Sequence, residues 1–263
     1  MSVLSEWDII NELGRGLFIY PFRGREESIT GCCLCLTASR YAYRFEVEQN
    51  GEKKTKPLEI KTDSESLHQF LIIPQRKTAV VWTNESVLLG NYLCGSIHSK
   101  VKLVSKGIGH IGTRVNPNYG GIMAIALHNL SDQDIEIDIG KNDEDYGETI
   151  AYLRIYRLSS KSSSSERIDP AGKLKDAIPP GFTPPPELIS WLYKKAWRNG
   201  DKSALEEILE QSQKYKVAKN ELAKKSIRYR FFFKYLPHWD TSIWVQIIIA
   251  GVTAINVIVA IVK

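Results

Sequence analysis

The stretch Cys94–Asn129, CGSIHSKVKLVSKGIGHIGTRVNPNYGGIMAIALHN, carries glycine at positions 95, 107, 109, 112, 120 and 121. Short β-branched runs lie between them. Glycine permits positive φ and close approach of backbone to a ligand. The spacing therefore predicts tight turns between strands, a ligand held against main chain, or both. Asn116-Pro117-Asn118-Tyr119-Gly120-Gly121 reads as a turn joining two strands. The same texture also fits the turns of a β domain that binds nothing.

Outward from this stretch the chain is rich in short strands. Leu17–Phe22, Gly31–Thr37, Arg40–Glu48, Gln69–Pro74, Thr78–Trp82 and Ser86–Leu93 read as extended, and YAYRFEVE (41–48) alternates in polarity. Val101–Val104, Ile122–His128, Ile135–Ile139 and Thr149–Arg157 complete the set. Asn50-Gly51 is a strong hairpin signal. Ser5-Glu6-Trp7-Asp8 predicts a capped helix to about Leu13, stopped by Gly14-Arg15-Gly16. There is no βαβ alternation and no G-x-x-x-x-G-K-[ST] phosphate loop, so the expectation is a mainly β sandwich or barrel.

The 263 residues have a formal net charge of +5, unevenly spread. Residues 159–263 hold 17 Lys/Arg against 10 Asp/Glu, leaving 18 against 20 for residues 1–158. Cys32, Cys33, Cys35 and Cys94 match no usual Cys₄ spacing, so buried thiols in a reducing compartment are expected and no metal site. The N-terminus lacks the basic and apolar regions of a secretory signal.

After residue 158 the composition changes. Residues 159–186 are Ser-rich, then Pro-rich, and read as a linker. Residues 187–235 read as a basic helical region: one helix over Glu187–Arg198, then a second over Ser203–Tyr229. In the second helix Ile208, Tyr215, Leu222 and Tyr229 recur every seventh residue with mostly polar partners. That pattern fits an amphipathic helix lying on another surface as well as a coiled coil. Ile243–Val262 contains no charge and has the length of a membrane span. Gln211–Tyr235 carries eight Lys/Arg and one Glu, with Phe231-Phe232-Phe233 between cations. Such a composition also suits nucleic acid. Beside an apolar span it points instead to a membrane interface, with the β part cytoplasmic and 243–262 a C-terminal transmembrane anchor.

Several runs follow one another in a recognisable order. They are Leu4-Ser5-x-x-Asp8-Ile9, Gly16-Leu17-x-Ile19-x-Pro21-Phe22, Phe70-Leu71-x-Ile73-Pro74 and Trp82-Thr83-Asn84-Glu85-Ser86-Val87. Next come His98-Ser99-Lys100-Val101, Gly112-Thr113-x-Val115-Asn116-Pro117-x-Tyr119-x-Gly121, Ala126-Leu127-x-Asn129 and Ile150-Ala151-x-Leu153. Over residues 3–158 this order resembles the dCTP deaminase and trimeric dUTPase superfamily. The resemblance implies a distorted β-barrel or jelly roll, a homotrimer with sites between subunits, and a deoxynucleoside triphosphate ligand, often with Mg²⁺. It marks residues 1–158 as the β domain. It also makes Ser96, His98, Ser99, Lys100, His110, Arg114, Asn116 and Tyr119 the candidate ligand-binding set.

The titratable catalysts of that superfamily are missing. Gly95-Ser96-Ile97-His98-Ser99-Lys100-Val101 stands where the deaminases carry G-R-S-S-x-A-R. Ala126 stands at the general-base Glu, and Cys32-Cys33-Leu34-Cys35 occupies the region of the metal-associated Asp. Asn116, the one candidate catalytic residue, replaces the dUTPase Asp; an amide orients water but is a poor base. Lys100, Lys102, Lys106 and Arg114 fit a phosphate site or a solvated rim equally. His98 and His128 fit structural roles, whereas His110 is the histidine best placed for a ligand. The reading is a membrane-anchored, noncatalytic nucleotide- or partner-binding module, with a defence sensor or effector as one setting. An active, tethered dCTP deaminase or dUTP pyrophosphatase is the alternative, and nucleic acid is not the expected partner.

Overall fold

The computed structural model describes residues 1–47, 51, 53–141, 145–162, 207 and 209–224. The Asn50-Gly51 turn apart from Gly51, the linker beyond residue 162, the 187–198 helix, the aromatic-basic run 225–235 and the apolar run 243–262 lie outside them. Among the described residues no helix is long and apolar enough to cross a membrane.

Helix α1 (Glu6–Glu12) starts as predicted. Ser5 Oγ accepts from the Asp8 amide at 3.3 Å, and the Asp8 carboxylate accepts from the Ser5 amide at 2.9 Å. This reciprocal cap fixes the helix start. Its Ile9 and Ile10, followed by Leu13, are fully buried.

The strands form a mainly antiparallel, curled half-barrel. Its spine is β4 (Cys33–Val47), 15 residues long. The lower half of β4 pairs with β14 (Thr149–Arg157) and the upper half with β8 (Thr78–Leu89) and the edge strand β5 (Lys53–Pro57). The sequence suggests two strands here because Ser39-Arg40 interrupts the apolar pattern. The chain instead continues through a register shift between Ala38 and Ala42. β8 likewise joins two predicted strands. It also pairs with β2 (Leu17–Tyr20) and β12 (Gly120–Asn129). β14 pairs on its far side with β9 (Leu93–Ser99), which in turn holds β11 (Arg114–Val115). Three shorter strands complete this sheet: β1 (Ser2–Val3) on β14, β3 (Ile29–Thr30) on β4, and β10 (Ile108–Gly109) on β12. A small second sheet stacks β6 (Ile60–Thr62), β7 (Gln69–Ile73) and β13 (Ile135–Gly140).

Alternation sorts the side chains of β4, β14 and β9 between two faces. Leu34, Leu36, Leu153, Ile155 and Ile97 point into the core and are almost wholly buried. Each such side chain stabilises the fold by about 1.5–3 kcal/mol. Cys33, Cys35, Tyr152, Arg154, Tyr156, Ser96 and His98 take the opposite face by the strand registers. All four cysteines are free thiols, with Cys33 and Cys35 buried in β4.

One predicted strand is corrected. Val101–Val104 lies in a helical turn, α3 (Val101–Ser105), with Val101 and Val104 exposed and only Leu103 buried. The β-branched pair has no partner strand at this point. Gly107, at φ +92°, turns the chain into β10 instead.

Two further helices meet α1. α2 (Arg25–Ser28) is a single turn, and α4 (Gln213–Ala223) returns from the C-terminal region. α4 is the described part of the predicted second helix. It lies on α1, burying Ala218 and packing Tyr215 and Leu222 against the core. Of the two readings of its heptad, the helix resting on a surface matches this packing.

Candidate functional site

Strand β9 carries three of the predicted residues, Ser96, His98 and Ser99, and alternation splits them. Ser96 and His98 face outward. Ser96 Oγ lies 2.7 Å from His98 Nε2 and 3.0 Å from the Tyr156 hydroxyl. Arg114 is exposed and sits opposite Ser96 in register. Burial, reinforced by the neighbouring Arg154, holds His98 below the ordinary histidine value. Ser99 points the other way, with its Oγ 2.7 Å from His110 Nδ1. His110 is half-buried behind β9 and its pKa is also lowered, first by burial. The loop histidine predicted to meet a ligand is thus a packed partner of Ser99.

Lys100 follows at the strand end. Its Nζ donates to Glu148 Oε1 at 3.3 Å, and Lys102 reaches the same oxygen at 3.5 Å. Glu148, missed by the sequence reading, precedes β14 and is placed by its own amide, which donates to the Asp138 carbonyl at 2.8 Å. Asp-Tyr-Gly-Glu contains no motif; only Gly147, at φ +61°, marks a special corner there.

Asn116 and Tyr119 lie elsewhere. The Asn116 carbonyl accepts from the Tyr119 amide at 3.2 Å, closing the predicted turn, and the Asn116 side chain is exposed. This turn joins β11, on β9, to β12, on β8, so the two strands it connects do not pair with one another. The Tyr119 hydroxyl donates to the Ile122 carbonyl at 2.5 Å, and burial raises its pKa. Its role is internal: it locks the corner. Val115 is opposite Gly95, five residues before Lys100 along β9. At 3.2–3.4 Å per residue, Lys100 is about 16 Å along β9 from the start of this turn, whereas Ser96 and Arg114 lie beside it.

A second buried polar group was not legible at all. Arg23 Nη2 donates to Glu85 Oε1 at 3.0 Å, and Glu85 is wholly buried. Glu85 also accepts from the Thr37 amide at 2.7 Å and hydroxyl at 2.8 Å. Arg23 lies over the Tyr146 ring, 5.3 Å from its centroid. Burial pushes the Cys35 thiol up, opposed by the charges of Arg23 and Lys100 and aided by Glu85, so both cations stand near the outward face of β4, each beside a carboxylate. Ala126 is half-buried on β12 opposite Val80, with Ala124 and His128 on the same face. His128 Nδ1 is 2.8 Å from the Thr78 hydroxyl.

No protein-family model and no curated protein matches the chain. Solved structures do match it. A dCTP deaminase from Agrobacterium tumefaciens is 13% identical at a TM-score of 0.43, covering 59% of this chain and 47% of its own. The chain thus spans about half the length of that deaminase. The dUTPase of EIAV is 17% identical at a TM-score of 0.29, covering 48% of this chain and 96% of its own. A mutant dUTPase from phage phi11 of S. aureus is 14% identical at 0.27, covering 48% and 97%. At these scores the likeness settles no property of the site.

The residues present do not fit a protein-held magnesium ion. Of the two carboxylates beside these cations, Glu148 is engaged by two lysines and Glu85 by Arg23 and Thr37. Among the described residues no three His, Cys, Asp or Glu side chains converge as metal ligands.

Proposed function

We propose that the chain is a noncatalytic, dUTPase/dCTP-deaminase-like module that binds a nucleotide and passes that event to its C-terminal region. In this reading Lys100, Lys102 and Arg23 receive phosphate, and Asn116 with the turn backbone receives the base. The observation that carries it is that the carboxylates described beside these cations, Glu148 and Glu85, are both already engaged. Ala126 has no titratable atom, Asn116 is an amide, and Glu148 is already paired twice. Any Mg²⁺ would arrive chelated by the triphosphate itself.

Lys100 and the Asn116 turn are about 16 Å apart along β9. A second copy that supplies one half would let one nucleotide meet both. A homotrimer with sites between protomers therefore belongs to the proposal. So does membrane anchoring through 243–262, which rests on sequence alone.

The test is calorimetry of the purified full-length chain with dCTP and dUTP, alongside turnover assays with Mg²⁺. Saturable binding without turnover is the expected result. One observation favours a second reading: Glu148 keeps a carboxylate within 3.3 Å of Lys100. Turnover abolished by both Glu148→Gln and Asn116→Ala would establish the enzymatic reading, and no binding of either nucleotide would sink both.

A further inference from the structure

Strands β4, β14, β9 and β11 bring four side chains into one transverse row. Arg154 of β14 stands directly opposite Cys33 of β4 on one side and Ser96 of β9 on the other. Arg114 of β11 stands opposite Ser96 in turn. Residues paired in this way carry their side chains to the same face, with Cβ atoms about 4.5–5.5 Å apart. The row on the outward face is therefore Cys33, Arg154, Ser96, Arg114. Two guanidinium groups flank one hydroxyl, on strands about 10 Å apart.

The other arginines show what this row lacks. Arg23, Arg25, Arg44, Arg76 and Arg157 each meet a carboxylate. Among the described residues Arg154 and Arg114 meet none. Arg154 bonds instead to the Cys33 thiol and the Tyr156 hydroxyl, and its Nε is closed to solvent without a partner. Burial pushes the Cys33 thiol up, so this partner does not supply the missing negative charge near neutral pH. The region after residue 158 holds 17 Lys/Arg against 10 Asp/Glu and on charge balance is a poor source of it. A guanidinium laid on a sheet face without an acid partner leaves its charge to be met from outside. The hydroxyl between the two cations is held in place: Ser96 Oγ lies 2.7 Å from His98 Nε2 and 3.0 Å from the Tyr156 hydroxyl.

We propose that the row Arg154, Ser96, Arg114 binds a phosphoryl group, carried by a soluble organic phosphate or by a lipid headgroup. The chemistry selects a tetrahedral dianion. Guanidinium forks pair bidentately with phosphate oxygens, and a phosphoryl group has oxygens enough for two forks and a hydroxyl together. A carboxylate brings two oxygens and one charge. The row is separate from the pair of Lys100 and Glu148. Ser96 and Lys100 are four residues apart in an extended segment, about 13 Å, and the row requires neither the nucleotide reading nor a second copy.

Calorimetry of the full-length chain in uncharged detergent micelles tests this, with inorganic phosphate as the probe. Arg154→Gln and Arg114→Gln should each weaken phosphate binding about ten- to hundredfold, and Ser96→Ala about two- to tenfold. Lys100→Ala should spare it, the opposite of its expected effect on dUTP. Acetate should bind wild type more weakly than phosphate, by about the tenfold that one charged hydrogen bond is worth. Dibutanoyl phosphatidic acid separates the two sources: a headgroup site binds it more tightly than phosphate, and a site for soluble phosphates does not. The proposal is overturned if phosphate does not bind, if Arg114→Gln leaves binding unchanged, if Lys100→Ala weakens it as much as Arg114→Gln does, or if acetate binds as well as phosphate. Arg114 is exposed, so Arg114→Gln decides alone where Arg154→Gln fails to fold.

Discussion

Arg23 donates to Glu85 across 3.0 Å, and the carboxylate that receives it is closed to solvent. Glu85 is pulled two ways. Burial raises its pKa, while Arg23 and the Thr37 donors oppose the rise. Removing the cation leaves burial unopposed by charge. Arg23→Met should therefore destabilise the protein by about 3–5 kcal/mol near neutral pH. The loss should shrink at pH 5, where the stranded carboxyl takes up a proton. Urea denaturation of both proteins at pH 7.5 and pH 5 measures it; a loss that grows on acidification contradicts the pairing.

Glu148 competes with any incoming phosphate for Lys100 and Lys102. Lys100→Ala should weaken nucleotide binding about ten- to hundredfold, the weight of a charged hydrogen bond. Glu148→Gln should strengthen it, because both lysines lose their internal partner. Calorimetric titration with dUTP and dCTP reads both changes, and a weaker Glu148→Gln complex would place the phosphates elsewhere.

Gly140 and Gly147 face each other across the corner that delivers Glu148. Both have positive φ, and a Cβ on Gly140 would run into the Asp145 carbonyl. Gly140→Ala should destabilise by about 2–4 kcal/mol through strain and collision together. Gly31, at φ +56°, has open space around the same position, so Gly31→Ala should cost only about 1–2 kcal/mol. Equal shifts of the denaturation midpoint in the two variants would remove the steric argument.

Burial keeps His110 below its ordinary value of 6.5 in the folded chain. Its contribution to stability is complete above 6.5 and is lost as pH falls through the lowered folded value. His110→Gln keeps a polar group beside Ser99 and does not titrate. Wild type should lose more melting temperature than this variant between pH 7.5 and pH 5.

The parts of the fold set by local chemistry could be read directly. The Ser5–Asp8 cap, β7 and β14 each announce themselves within a few residues. β9 did not, because only Leu93, Gly95 and Ile97 of LCGSIHS are buried and the intervening Cys, Ser and His mask the strand. β5 was hidden for the opposite reason: KKTKP is an exposed edge, where lysines guard against pairing. The site divides the same way. Ser96 to Lys100 could be picked out as a run. Glu148 is 48 positions from Lys100 and Glu85 is 62 from Arg23, and nothing local in either neighbourhood predicts those meetings.

Lys219 of α4 donates to the Ile10 carbonyl at 2.7 Å and the Asn11 carbonyl at 3.2 Å, in the last turn of α1, and this has a consequence for synthesis. Residues 6–12 emerge from the ribosome about 200 residues ahead of 213–223, roughly 10–40 s at ordinary translation rates. β1 must also wait for its partner β14. The nascent chain therefore holds the end of α1 bare while the whole β domain and the linker are being made.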